Sequence, residues 1–177
     1  SSAASDVYKR QGGRPLASPA SSMGASLLKI CPIVWSSTIS GALTNTSFEE
    51  ALSIKKILAP FGVPLIINDR IDVALAVNAA GVHVGQDDMP YETARALMGN
   101  TAIIGLSVET WEDVEQAEKL DVDYLGVSPV FETPTKTDTK GSWGLEGLSK
   151  IKEFSRHPLV AIGGLNIGNA KEVVLAG

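Results

Sequence analysis

From residue 47 onward the apolar residues fall into two alternating arrangements. Ala51, Leu52, Ile54 and Leu58 recur at helical spacing, and Ser47 with Glu50 three residues later reads as a capping box opening that helix, which should run to about Pro60. Val63-Pro64-Leu65-Ile66-Ile67 then runs without a polar interruption, as expected of a parallel strand buried on both faces. The cycle repeats to the end of the chain. Strands are expected at Gly81–Val84, Ala102–Leu106, Tyr124–Val127 and Leu159–Ile162. Helices are expected at Ile71–Ala80, Tyr91–Met98, Thr110–Leu120, Gly147–Phe154 and Asn169–Ala176. Short apolar strands alternating with helices make βαβ units and a parallel sheet.

Two features favour a barrel over a doubly wound sheet. No Gly-x-Gly-x-x-Gly follows the first strand, which leaves a dinucleotide site without support. Polar residues follow every strand instead of clustering at one switch point: Asn68-Asp69, Gln86-Asp87-Asp88, Ser107, Ser128 and Gly163-Gly164. Chemistry spread around the carboxyl ends of many strands is the habit of a (β/α)8 barrel. About five βα units are readable, so the expected fold is α/β of the TIM-barrel type, incomplete, with N- and C-terminal strands missing.

The opening of the chain reads differently. Residues 1–26 are rich in Ser, Ala, Gly and Pro without either period, and Ser5-Asp6-Val7-Tyr8-Lys9-Arg10-Gln11 resembles translated adaptor sequence. Lys29–Trp35 offers a strand, followed by a Ser/Thr/Gly/Asn stretch. We therefore expect a poorly structured or non-native leader over residues 1–46 and one barrel domain over 47–177. The 177 residues suffice for one domain, and 44% hydrophobic with 20% charged residues is ordinary for a globular protein. A net charge of −5 argues against nucleic acid. The lone Cys31 forms no internal disulfide and points to a reducing cytoplasm. No apolar run is long enough for a membrane span.

Several residue groups could carry chemistry. Asp69 or Asp72 could cap the following helix, as could the acidic residues before Pro90. Adjacent barrel strands that each end in a carboxylate also suit Mg²⁺, which binds one or two carboxylates and completes its octahedron with water and phosphate. With His83 and His157 the only histidines, no Cys/His cluster suggests zinc, and His83 within a strand reads as a packed core or rim residue. Thr133-Pro134-Thr135-Lys136 is a solvated turn or an anion clamp, in a segment from Glu132 to Trp143 polar enough to move. Gly163-Gly164 makes a tight turn or lets backbone N–H groups approach a phosphate.

In this order the motifs resemble those of the thiamine-phosphate synthase family. The matching text is Pro64-Leu65-Ile66-Ile67-Asn68-Asp69-Arg70, Gly81-Val82-His83-Val84-Gly85-Gln86-x-Asp88, Gly105-x-Ser107, Asp123-Tyr124-x-Gly126-x-Ser128-Pro129-Val130-Phe131, Thr133-Pro134-Thr135-Lys136, Gly144-Leu145-x-Gly147-Leu148 and Ala161-Ile162-Gly163-Gly164. The resemblance implies a transferase joining hydroxymethylpyrimidine diphosphate to thiazole phosphate, with release of diphosphate. It implies Mg²⁺ on Asp69 and Asp88, and pyrimidine diphosphate on Asn68, Ser107 and Lys136, the last two as catalytic groups. Thr133, Thr135, Gly163 and Gly164 are implied for the thiazole phosphate. Partners are then small molecules, without nucleic acid or membrane, and open strand edges would favour oligomers.

The family's Gln-x-Arg-x-Lys diphosphate cradle has no counterpart; the local text is Cys31-Pro32-Ile33-Val34-Trp35-Ser36. The chain is therefore expected to be a fragment that is inactive as it stands. The alternatives are a thiazole tautomerase and a non-catalytic thiazole-phosphate-binding protein on the same scaffold. Retention of Asn68-Asp69, Asp88 and Lys136 argues against the tautomerase, which has no diphosphate to bind.

Overall fold

A computed structural model describes residues 34–36, 45–132 and 141–177. Among these residues six strands alternate with helices in chain order: β1 (Val34–Ser36), α1 (Asn45–Leu58), β2 (Leu65–Asn68), α2 (Ile71–Ala76), β3 (Gly81–Val84), α3 (Tyr91–Met98), β4 (Ile103–Val108), α4 (Trp111–Ala117), β5 (Tyr124–Val127), α5 (Gly144–Phe154), β6 (Leu159–Ala161) and α6 (Ala170–Ala176). The expected α/β class with its βαβ repeat is thus the class observed. The described residues form two compact units, one holding residues up to Val84 with Asp88–Ile104, the other Gly85–Asp87 with Gly105–Gly177.

In the first unit β1 pairs with β2 and β2 with β3, both parallel, with Val34 opposite Leu65 and Asn68 opposite His83. Leu65, Ile66 and Ile67 are all buried, as are all four residues of β3. Successive side chains of a strand point to opposite faces, so both faces of these strands are covered. Each fully buried Ile or Leu side chain is worth about 1.5–3 kcal/mol of transfer free energy. α1 is tied to α2 by Lys55, whose ammonium donates to the carbonyls of Val77 (2.8 Å) and Asn78 (2.7 Å) just past the end of α2. A cation suits the negative end of a helix dipole.

In the second unit β5 lies between β4 and β6, with Ser107 opposite Gly126 and Val127 opposite Ala161. α4 opens with a full capping box: the Asp113 N–H donates to Thr110 Oγ1 (3.2 Å) and the Thr110 N–H returns to Asp113 Oδ2 (2.8 Å). Away from the carboxyl ends of the strands, Glu118 accepts hydrogen bonds from the Ser155 hydroxyl and from the Arg156 N–H (3.3 Å), which fixes the entry to β6. β6 itself is only half-buried along its length.

Several boundaries differ from the sequence expectation. α1 begins at Asn45, which places Ser47 inside the helix and removes it from the N-cap. Thr44, Asn45, Thr46 and Ser47 are four consecutive cap-competent residues, so the pattern alone cannot choose among them. α1 stops at Leu58 and a 3-10 turn, Ala59–Phe61, accommodates Pro60 near its start. β2 omits Val63 and Pro64, the latter lacking the N–H a ladder needs. α2 ends at Ala76, four residues early, where Asn78 turns left-handed at φ 50°. β4 extends to Val108, so Ser107 lies within the strand and not beyond it. The strand expected at Lys29–Trp35 is observed at Val34–Ser36, and the rest of that reading lies outside the described residues, as do residues 1–33 of the expected leader and Cys31.

Gly81 explains why β3 can start where it does. A Cβ at that position would sit 1.9 Å from the carbonyl oxygen of Ile103, a backbone atom that cannot swing away. Gly81→Ala should therefore destabilise the protein by about 3 kcal/mol or more, read as a lowered urea midpoint at unchanged m-value.

Candidate functional site

The first unit supplies two carboxylates in the loops that follow neighbouring strands, Asp69 directly after β2 and Asp88 between β3 and α3. Asn68 closes β2, and the next residue, Asp69, adopts a left-handed backbone with φ 61°. Its N–H donates to the carbonyl of His83 on β3 (2.8 Å), while the N–H groups of Arg70 and Ile71 turn back to the carbonyls of Asn68 (2.7 Å) and Asp69 (3.1 Å). Aspartate tolerates this region better than most side chains, yet it costs about 1–2 kcal/mol. Such strain persists where surrounding structure enforces it, commonly at functional positions. Here the enforced turn holds Asp69 at the strand end, before the helix.

Neither carboxylate occupies an N-cap position. The N-cap of α2 falls on Arg70 and that of α3 on Pro90, so Asp69 and Asp88 lie one and two residues outside the caps. Asp72 is within the first turn of α2, gripped by Arg70 through Nε (2.8 Å) and Nη2 (2.5 Å). The Arg70 hydrogen bonds hold its carboxyl below the usual carboxylate range. Asp69 is half-buried and Asp88 exposed. Among the described residues no group of three or more His, Cys, Asp and Glu side chains gathers as a metal cage. Magnesium binds one or two carboxylates and takes its remaining ligands from water and phosphate, so Asp69 and Asp88 are the residues that could hold it.

His83, aligned with Asn68, is 1% exposed, so it is a core residue, as its place within a strand suggested. Burial pushes its imidazole down to about 4, against a partial upward pull from the Asp88 charge. It is neutral at pH 7.

The second unit builds a different strand-end surface. Ser107 is the penultimate residue of β4, and its carbonyl accepts a 2.6 Å hydrogen bond from Gln86 Nε2. The carbonyl of Val108 accepts from the Ser128 N–H and from Trp143 Nε1, both at 3.3 Å. After β5, the N–H groups of Val130 and Phe131 donate to Ile162 (2.8 Å) and Gly163 (3.1 Å), and those of Trp143 and Gly144 return to Pro129 (3.0 Å) and Val130 (2.8 Å). Gly164, at φ 68°, runs so close to this segment that a Cβ would lie 2.6 Å from Phe131 Cβ. The tight approach of two chain segments is thus a sufficient reason for glycine there. Thr133, Thr135 and Lys136 lie outside the described residues. Gln86 sat in a polar cluster of the sequence without a role, and Trp143 was legible only as the end of a polar loop. A ring nitrogen reaching a carbonyl 35 residues away leaves no local signature.

The family model for thiamine monophosphate synthase matches residues 40–177. This chain belongs to that family. Thiamine-phosphate synthase of Albidiferax ferrireducens is 59% identical over 134 residues, covering 76% of this chain and 61% of that relative. The Leptospira biflexa thiamine-phosphate synthase is 55% identical over 139 residues, covering 76% and 66%. The thiamine phosphate pyrophosphorylase structure from Pyrococcus furiosus superposes with a TM-score of 0.73 at 38% identity, covering 86% of this chain and 72% of that one. The chain thus spans a little under two thirds of the length of the first two thiamine monophosphate synthase relatives. Among the described residues no helix is long and apolar enough to cross a membrane.

The buried His83 makes a prediction for pH. Its folded pKa of about 4 lies below the unfolded value near 6.5, so the unfolded chain binds more protons between these limits. Stability from this source is complete above about pH 6.5 and falls as the pH drops toward 4, by about 3 kcal/mol in all. Urea unfolding at pH 7, 5.5 and 4 should show this slope, and His83→Gln should flatten it.

Proposed function

We propose that this chain carries the magnesium and pyrimidine diphosphate ligands of a thiamine-phosphate synthase. The observation that supports this reading best is the left-handed turn at Asp69, which sets a carboxylate just past the end of β2, one residue before the N-cap of α2. Membership of the family, with relatives named for this activity, supports the same reaction.

In this reading Asn68 and Ser107 orient the pyrimidine diphosphate at the ends of β2 and β4. Asp69 and Asp88 would hold Mg²⁺, whose contribution is to neutralise charge on the departing diphosphate. Lys136 adds a positive charge and hydrogen bonds to the same oxygens. The bond from the methylene carbon to the diphosphate oxygen breaks with its electron pair leaving on diphosphate. The aminopyrimidine ring spreads the resulting positive charge, and the thiazole nitrogen supplies the pair for the new C–N bond. No protein nucleophile takes part, and the protein's task is electrostatic preorganisation. Thr133, Thr135, Gly163 and Gly164 hold the thiazole phosphate. The substrates are small molecules and the setting is the cytoplasm.

A hydroxymethylpyrimidine diphosphate analogue should bind the purified chain only with magnesium present, measured by titration calorimetry. Asp69→Asn and Asp88→Asn should each weaken that binding by at least about tenfold, the lower end of what a metal-site change costs. Binding indifferent to magnesium would overturn the reading. Residues 37–44, which follow β1, contain no Lys or Arg to match the family's diphosphate cradle. With both substrates supplied, the chain as it stands should form no detectable thiamine phosphate by fluorescence after oxidation to thiochrome.

A further inference from the structure

We propose that Gln86 is a positioning residue for Ser107, acting through the Ser107 carbonyl on how that residue meets the pyrimidine diphosphate. This rests on the reading above. Gln86 is exposed, so its side chain gains little from burial, yet its Nε2 makes a 2.6 Å hydrogen bond to Ser107 across 21 residues of sequence. An amide held on the surface by one short hydrogen bond has given up rotamer freedom worth about 1–2 kcal/mol. That outlay returns little net stability, since an exposed hydrogen bond largely replaces one to water. What it does is fix the peptide plane at the end of β4.

The location makes this matter. Ser107 is the second-last residue of β4, opposite Gly126 on β5. The next carbonyl, that of Val108, is held by Ser128 and by the indole of Trp143. The two final carbonyls of the strand are therefore each taken by groups from loops, and Gln86 holds the one belonging to the serine. Orienting that peptide orients the Ser107 Cα–Cβ bond and hence its hydroxyl. A hydroxyl displaced by about 1 Å can lose on the order of 100-fold in rate.

The test is a double-mutant cycle on magnesium-dependent binding of the pyrimidine diphosphate analogue, using Gln86→Met, which keeps length and loses the donor, and Ser107→Ala. Gln86→Met alone should weaken binding about five- to tenfold, while in the Ser107→Ala background it should change binding less than twofold. Thermal midpoints within about 2 °C of the parent, expected for an exposed side chain, would show that folding is intact. Equal losses in both backgrounds would mean that Gln86 acts independently of Ser107, and no loss in either would mean that it does not position it. Both results overturn this proposal while leaving the synthase reading standing. A parent chain that binds no analogue in magnesium overturns the synthase reading itself, and this proposal with it.

Discussion

Parallel strands buried on both faces impose the constraint from which the rest of the structure follows. Leu65, Ile66 and Ile67 on β2, and every residue of β3, are covered above and below. A strand in that setting cannot carry polar chemistry along its length, because an unpaired polar group there costs several kcal/mol. Polar groups can emerge only where the ladder stops. Asp69, Asp88, Ser128 and Gly163 all lie past such points, and Ser107 is the second-last residue of its strand. The one titratable side chain inside β3, His83, shows the alternative: burial keeps it uncharged.

The strand ends are not simply loose ends. Those of β2, β4 and β6 are held by local devices that differ from strand to strand. After β2 it is a left-handed aspartate locked by the His83 carbonyl. On β4 it is a pair of carbonyls taken by Gln86, Ser128 and Trp143. After β6 it is a glycine pair against which Pro129 and Phe131 pack. A barrel-type fold leaves these loops free to vary while the strands stay fixed, so precision has to be built into each loop separately.

Much of this was legible without coordinates. Short, mainly apolar runs gave β3 and β5 to the residue, with Gly85 closing the first and Asp123 preceding the second. The polar residues after each strand gave the candidate site, and the motif order gave the family. Element ends were less legible where neighbouring residues share a property. Four adjacent cap-competent residues blurred the start of α1, and Ser107-Val108 continued as strand because the ladder to Gly126 and Val127 carries them.

The sequence by itself determined the class of fold, the family and which side chains are chemically able to act. Those depend on periodicity and on residue identity, both local properties of the chain. Only the tertiary structure decided that Asp69 is left-handed, that caps fall on Arg70 and Pro90, and that Gln86 and Trp143 hold the end of β4. It also decided that Gly81 is needed because the Ile103 carbonyl passes within contact of it. Each of these is a contact between segments separated in sequence or a backbone angle set by such a contact, and neither leaves a repeating trace along the chain.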